Sequence, residues 1–117
     1  MDDLVQFLRD RLDEDAEAAG TATPGPWHAD GGSVYATHPT DEVVSYTDSA
    51  EHIARHNPAR VLADIEAKRQ ILDLHVAEPG QHPDFCGHDK HELPCPTLRL
   101  LALPYADHPD YREEWRP

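Results

Sequence analysis

The sequence predicts an α+β fold: an N-terminal helix, a small antiparallel sheet of two or three strands, a broken and then a long helix, and a metal-stapled C-terminal segment with short helices. Three observations lead there. Leucines recur every fourth residue at the start of the chain. Short runs rich in Val, Thr and Tyr follow, separated by Gly and Pro. Both cysteines then stand late in one histidine-rich stretch, DFCGHDKHELPCP, at 84–96. A chain of 117 residues has the length of one domain, so a single domain over 1–117 is expected. Eleven prolines and a hydrophobic fraction of 38% leave it a thin core, and a small fold of this kind gains from a staple.

Asp2 or Asp3 caps the first helix, expected over about 3–19. Leu4, Leu8 and Leu12 form its inward stripe, flanked by Val5 and Phe7. The acidic run Asp13, Glu14, Asp15 and Glu17 faces water, and Gly20 is the natural stop. Pro24-Gly25-Pro26 excludes helix, and Trp27 is the large apolar anchor of this region. Asp30-Gly31-Gly32 is hairpin-turn chemistry. Residues 33–37 and 42–46 read as strands, with the Trp27 segment as a third. Asp48 and Glu51 have the spacing of a capping box for a short helix. Asn57-Pro58 breaks that helix and opens a long one, with Asn57 as N-cap and Pro58 at N1. Its inward stripe is Val61, Leu62, Ile65, Leu72 and Val76, with the stem of Arg69 filling the gap. Pro79-Gly80 ends it. A cysteine loop over about 80–95 leads to a helix at 96–103, stopped by Pro104. Pro109 starts one or two final turns, and Tyr111 and Trp115 fold these back onto the body.

The formal net charge is −13. Contacts to phosphate require a basic face, so direct binding to nucleic acid or to an anionic membrane is not expected. Acidity serves solubility, docking on a basic protein, or mimicry of nucleic acid. Nine histidines add a charge change on mild acidification. The N-terminus lacks the basic and apolar regions of a signal peptide, and no apolar run spans a bilayer. The expected setting is cytoplasmic, with reduced thiols, and the expected state is monomer or homodimer.

ATPGPW, a short hairpin and AEHIARHNPARVLADIEAKRQIL together resemble small phage and prophage proteins of the lambdoid ead type. HIARHNPARVLADIEAKRQIL with PCPTLRLLALPYADHPDYREEWRP resembles an actinobacterial and actinophage family of uncharacterised small proteins, over nearly the whole chain. The resemblance implies no activity. Relatives of that kind carry a C-x-x-C ahead of the PC dipeptide. Cys86 and Cys95 match its first and last cysteines, while position 89 is Asp, with His88 and His91 nearby. The departure leaves the third ligand open.

Structural zinc takes four N or S ligands in a tetrahedron. The expected set is His75, Cys86, His88 and Cys95, with His91 or His82 as substitutes. Four ligands within one short loop would strain it, so His75 reaches back from the last turn of the long helix. Cys95 precedes a helix start, which favours thiolate. Free thiols with surface histidines are the plainer alternative, and a Cys86–Cys95 disulfide the least favoured. A second candidate is His52-x-x-x-His56, whose spacing suits a metal-dependent hydrolase. Its metalloprotease form needs Glu directly after the first His, where Ile53 stands, so a packed or surface histidine pair is the better expectation. A cysteine nucleophile beside a histidine is a third, with no accompanying oxyanion hole or nucleophile elbow in the sequence. The preferred function is a non-enzymatic, zinc-stabilised acidic binding or regulatory protein whose partner is another protein. The alternatives are the His52/His56 hydrolase and a DNA mimic.

Overall fold

A computed structural model describes residues 3–36, 41–76 and 94–117. Helix α1 spans Asp3–Thr21. Strands β1 (His28–Asp30), β2 (Ser33–Tyr35) and β3 (Glu42–Val44) follow. Then come α2 (Ala50–Arg55), α3 (Pro58–His75), α4 (Pro96–Ala102) and two 3-10 turns, Leu103–Tyr105 and Glu113–Trp115. The architecture is α+β. The chain divides into two compact units. One holds residues 1–14 and 67–117, the other residues 15–66, so the division falls within α1 and within α3. No helix among the described residues is long and apolar enough to cross a membrane.

The unit of residues 15–66 is built on an antiparallel sheet in the order β1-β2-β3. Asp30 pairs with Ser33 across the two-residue turn Gly31-Gly32, where φ is 60° and 86°. Two successive positive φ values make a turn that matches strand twist, and only residues without Cβ adopt them freely. A register shift at Val34/Tyr35 interrupts the pairing of β2 with β3. Helix α2 packs on this sheet, and Val34, Ala50 and Ala54 form the core, with Trp27, Ala29, Val43, Val44 and Ile53 packed against it.

The start of α2 differs from the capping-box expectation. The helix begins at Ala50, one residue later, and its N-cap Ser49 makes no side-chain cap bond. The Ser49 amide donates instead to Thr47 Oγ1 at 3.0 Å, and the Glu51 carboxylate engages Arg55 at 3.2 Å. Asn57 does cap α3: its Oδ1 accepts from the amides of Ala59 (3.0 Å) and Arg60 (3.2 Å). A Cβ on Gly25 would collide with that same Oδ1 and approach the Ala59 amide nitrogen to 3.1 Å. The glycine of ATPGPW thus leaves room for the cap of a helix more than thirty residues downstream.

In the other unit, Leu4, Val5, Phe7, Leu8 and Leu12 of α1 are buried as the fourfold spacing predicts. The helix runs on to Thr21, past Gly20, because the Thr21 hydroxyl donates to the Ala18 carbonyl and satisfies the last turn. Along α3 the inward positions are Pro58, Ile65, Leu72 and His75, with Val61 partly covered, whereas Leu62 is exposed. Leu62 falls off the stripe because the 3.6-residue period favours Val61 and Ile65. Arg69 is partly covered, and its guanidinium pairs with Asp13 at 2.9 Å.

The tail departs most from expectation. Helix α4 does end ahead of Pro104, at Ala102, and Pro104 then fits the first turn of a 3-10 helix. Pro109 starts no α-helix: the His108 ring accepts the Asp110 amide at 3.0 Å, which holds a turn there, and Arg112 is extended. Side chains place the tail instead. The Phe7 ring meets Tyr105, His108, Tyr111 and Trp115 at centroid distances of 5.2 to 6.3 Å, and Trp115 is buried. Edge-to-face ring contacts of this kind add to their area burial. Arg11 is buried among them. It lies 5.0 Å over Phe7, places Nη1 2.7 Å from Nε2 of His108, and donates through Nη2 to Glu14 at 2.9 Å.

Candidate metal centre

His75 and Cys95 are twenty positions apart in sequence, and the fold brings them together. His75 closes α3 on the same inward stripe as Leu72. The α-helical period alone turns its imidazole into the interior. Cys95 is the N-cap of α4, in extended backbone at φ −74° and ψ 164°. Pro96 at the head of that helix fixes where the cap falls. The thiol sulfur lies 3.5 Å from Nδ1 of His75, with Cys95 fully buried and His75 7% exposed.

Two chemistries fit that distance. One is a buried hydrogen bond between thiol and imidazole. The other is one edge of a tetrahedral zinc site. Zn–S near 2.3 Å and Zn–N near 2.0–2.1 Å, set at the tetrahedral angle, put the two ligand atoms about 3.5 Å apart. The pair already has the separation a shared metal imposes. A nucleophilic role suits it poorly, because reactive cysteines stand partially exposed and Cys95 is wholly enclosed.

Cys86, His88, His91 and the substitute His82 lie outside the described residues. Two of the expected ligands are therefore placed, and the structure puts them side by side. Among the described residues, no three His, Cys, Asp or Glu side chains gather into a metal-holding group.

The second candidate stands elsewhere. His52 and His56 are both exposed on α2 and just after it. Their rings are 4.3 Å apart at 35°, and Nδ1 of His56 is bonded to the His52 carbonyl at 2.7 Å. One nitrogen of His56 is thus committed to the backbone of its own helix end. The i,i+4 spacing does bring the two rings together, as read from sequence.

The buried Arg11 and its aromatic surround are features that sequence reading passed over. An arginine on a leucine-rich stripe reads as a surface residue. Its signal was the pile of aromatic residues between 105 and 115, which needs something to pack against. Arg11 Nε and Tyr111 Oη are buried there, and neither has a hydrogen-bond partner among the described residues.

A family model matches the chain over residues 1–117: the family of unknown function DUF6221. The chain belongs to that family. Comparison with curated proteins finds no match, and comparison with solved structures finds none either. Membership therefore assigns no chemistry to His75 and Cys95, and their geometry has to carry the reading.

Proposed function

We propose that the protein is a non-enzymatic, zinc-stabilised acidic binding or regulatory protein whose partner is another protein. The observation that carries the zinc is the 3.5 Å approach of Cys95 Sγ to His75 Nδ1, enclosed in the core. Cys86 and His88 complete the set, with His91 or His82 as the substitute. Four protein ligands make a closed site that holds metal for structure and leaves no position for a reacting water. The metal ties the end of α3 to the start of α4 across the intervening stretch 76–94. Closing a loop of that length favours the folded state by restricting the unfolded one.

The acidic surface supports the binding half of the reading. With a net charge of −13, the protein favours a cationic partner and repels nucleic acid. The likeness of its ATPGPW and PCPTLRLLALPYADHPDYREEWRP segments to actinobacterial and phage proteins supports a cytoplasmic setting in such a cell.

The test is metal content by mass spectrometry on protein purified without a histidine tag, together with thermal melts with and without chelator. One zinc per chain is expected, lost in Cys95→Ser and in His75→Ala. A metal-free protein whose melt ignores the chelator would refute the zinc reading and leave a thiol–imidazole hydrogen bond in its place.

A further inference from the structure

The unit of residues 15–66 carries an open groove of about 310 Å³, lined by Asp15, Ala18, Ala19, Ala22, Trp27, His56, Pro58 and Val61. The volume lies at the lower end of the range for ligand pockets, roughly 300–1,000 Å³. Its shape follows from the sequence. Ala18, Ala19 and Ala22 form a wall with no side chain beyond Cβ, and this leaves space beside the Trp27 indole. Pro58 and Val61 add apolar lining from α3. Trp27 is only partly buried and packs against the Val34–Ala50–Ala54 core. Its indole N–H donates to the Thr23 carbonyl at 3.0 Å, which fixes the ring. A rigid, partly exposed tryptophan beside an apolar hollow is the kind of anchor that dominates binding at protein interfaces.

Charge selects the occupant. Between positions 15 and 66 the chain has nine carboxylates and two arginines, and no Lys or Arg stands anywhere from 12 to 54. Both arginines are engaged locally, Arg55 with Glu51 and Arg60 with the Arg55 carbonyl. Asp15 lies in the groove lining. An acidic segment entering the groove gains apolar contact but is repelled by this field, and a neutral one gains the apolar contact alone. A basic amphipathic segment gains both.

We infer that the groove docks a basic amphipathic helix of a partner protein, with an apolar side chain seated against Trp27 and its Lys or Arg side chains in the field of this unit's carboxylates. This rests on the reading of the protein as an acidic binding module and names the partner's chemistry.

The experiment uses the full ¹⁵N-labelled chain, with the Trp27 indole signal assigned through Trp27→Phe. A helical Leu/Lys amphipathic peptide is titrated in, beside its Leu/Glu counterpart and a scrambled Leu/Lys peptide that is not amphipathic. The expected result is a saturable shift of the Trp27 indole with the Leu/Lys helix alone. Ala18→Phe, on an exposed position, should weaken binding by at least about tenfold and leave the remaining spectrum in place. Ala22→Met serves as a second blocking variant should Ala18→Phe disturb the fold. Asp15→Asn should weaken binding less. Equal binding of the Leu/Glu or scrambled peptide overturns the inference, as does undiminished affinity in the blocked variants. Self-association abolished by Ala18→Phe also overturns it, because the occupant would then be a second copy. Zinc-loaded protein that ignores the Leu/Lys helix removes the groove and leaves the metal staple. Retained, groove-localised binding in metal-free protein supports the groove and removes only the staple.

Discussion

The two units of this chain solve the same problem with different materials. The unit of residues 1–14 and 67–117 fills its interior with large side chains: Leu4, Phe7, Leu8, Leu72, Leu98 and Trp115. The unit of residues 15–66 has Val34, Ala50 and Ala54 at its centre. Its distinctive contacts are fits of backbone and small groups, namely the Gly31-Gly32 turn, the Asn57 cap and Gly25 beneath it. Large side chains give burial energy in proportion to area, and a ring cluster tolerates irregular backbone, which is why the tail needs little regular helix. Small residues give little burial, so the sheet unit relies on turn and cap geometry. The first unit also contains the buried His75–Cys95 pair and Arg11, whose Nη atoms are bonded to Glu14 and set against His108 while its Nε is not bonded among the described residues.

That contrast can be broken, and the largest effect should come from the proposed metal. Chelation, or Cys95→Ser, is expected to lower the melting temperature by more than about 10 °C. It should raise amide exchange in α4 and the last turns of α3 while the β1–β2 hairpin keeps its protection. Equal loss in both units would show that the staple does not belong to one of them. Next come the rings. Phe7→Ala and Trp115→Ala should each cost about 3–5 kcal/mol in denaturant unfolding, because each removes an aromatic from a cluster that sets the whole tail. A loss near 1 kcal/mol would mean the tail contributes little.

In the sheet unit the expected losses are smaller and geometric. Gly25→Ala should cost about 1–3 kcal/mol through the clash with Asn57 Oδ1, and Asn57→Ala about 1 kcal/mol through the lost cap. The double variant should be less destabilised than the two losses combined, since removing the Asn57 side chain clears the clash. Strict additivity would mean the clash is relieved elsewhere. The smallest effect is electrostatic. A hydrogen bond from Arg116 and its charge hold the exposed Glu113 carboxyl below its ordinary range, partly offset by desolvation. A lowered carboxyl pKa favours the folded state at pH above the unfolded value, and that contribution fades as pH falls through the folded one. Arg116→Ala should return Glu113 toward the ordinary carboxylate range in an NMR titration, with little change in melting temperature, because exposed pairs contribute little.

Much of this was legible because it is local. The Leu4–Leu8–Leu12 stripe, the glycine turn at 31–32, the Asn57-Pro58 helix start and the Pro96 helix start each depend on residues within one or two turns. The capping box at Asp48–Glu51 had the right letters, but the Thr47 hydroxyl took the nearby amide and Arg55 took the carboxylate. Such competition between short-range partners is invisible in a motif. The tail was misread after Pro109 because its conformation is dictated by Phe7, about a hundred positions away. At the candidate centre, the strain of four ligands in one short loop pointed to His75 as the ligand from outside it, and the fold sets His75 beside Cys95. The burial of Arg11 was not readable, since it depends on ring contacts that only the folded tail supplies.

Gly25 and Asn57 have a consequence for inheritance. A side chain at 25 is strained while Asn stands at 57, and a shorter residue at 57 removes the collision with Oδ1. The less costly order of change gives up the cap first and the glycine second. A variant of this family that carries a side chain at 25 is therefore expected to start its long helix with something other than Asn, and the two letters can be checked in any pair of relatives without a structure.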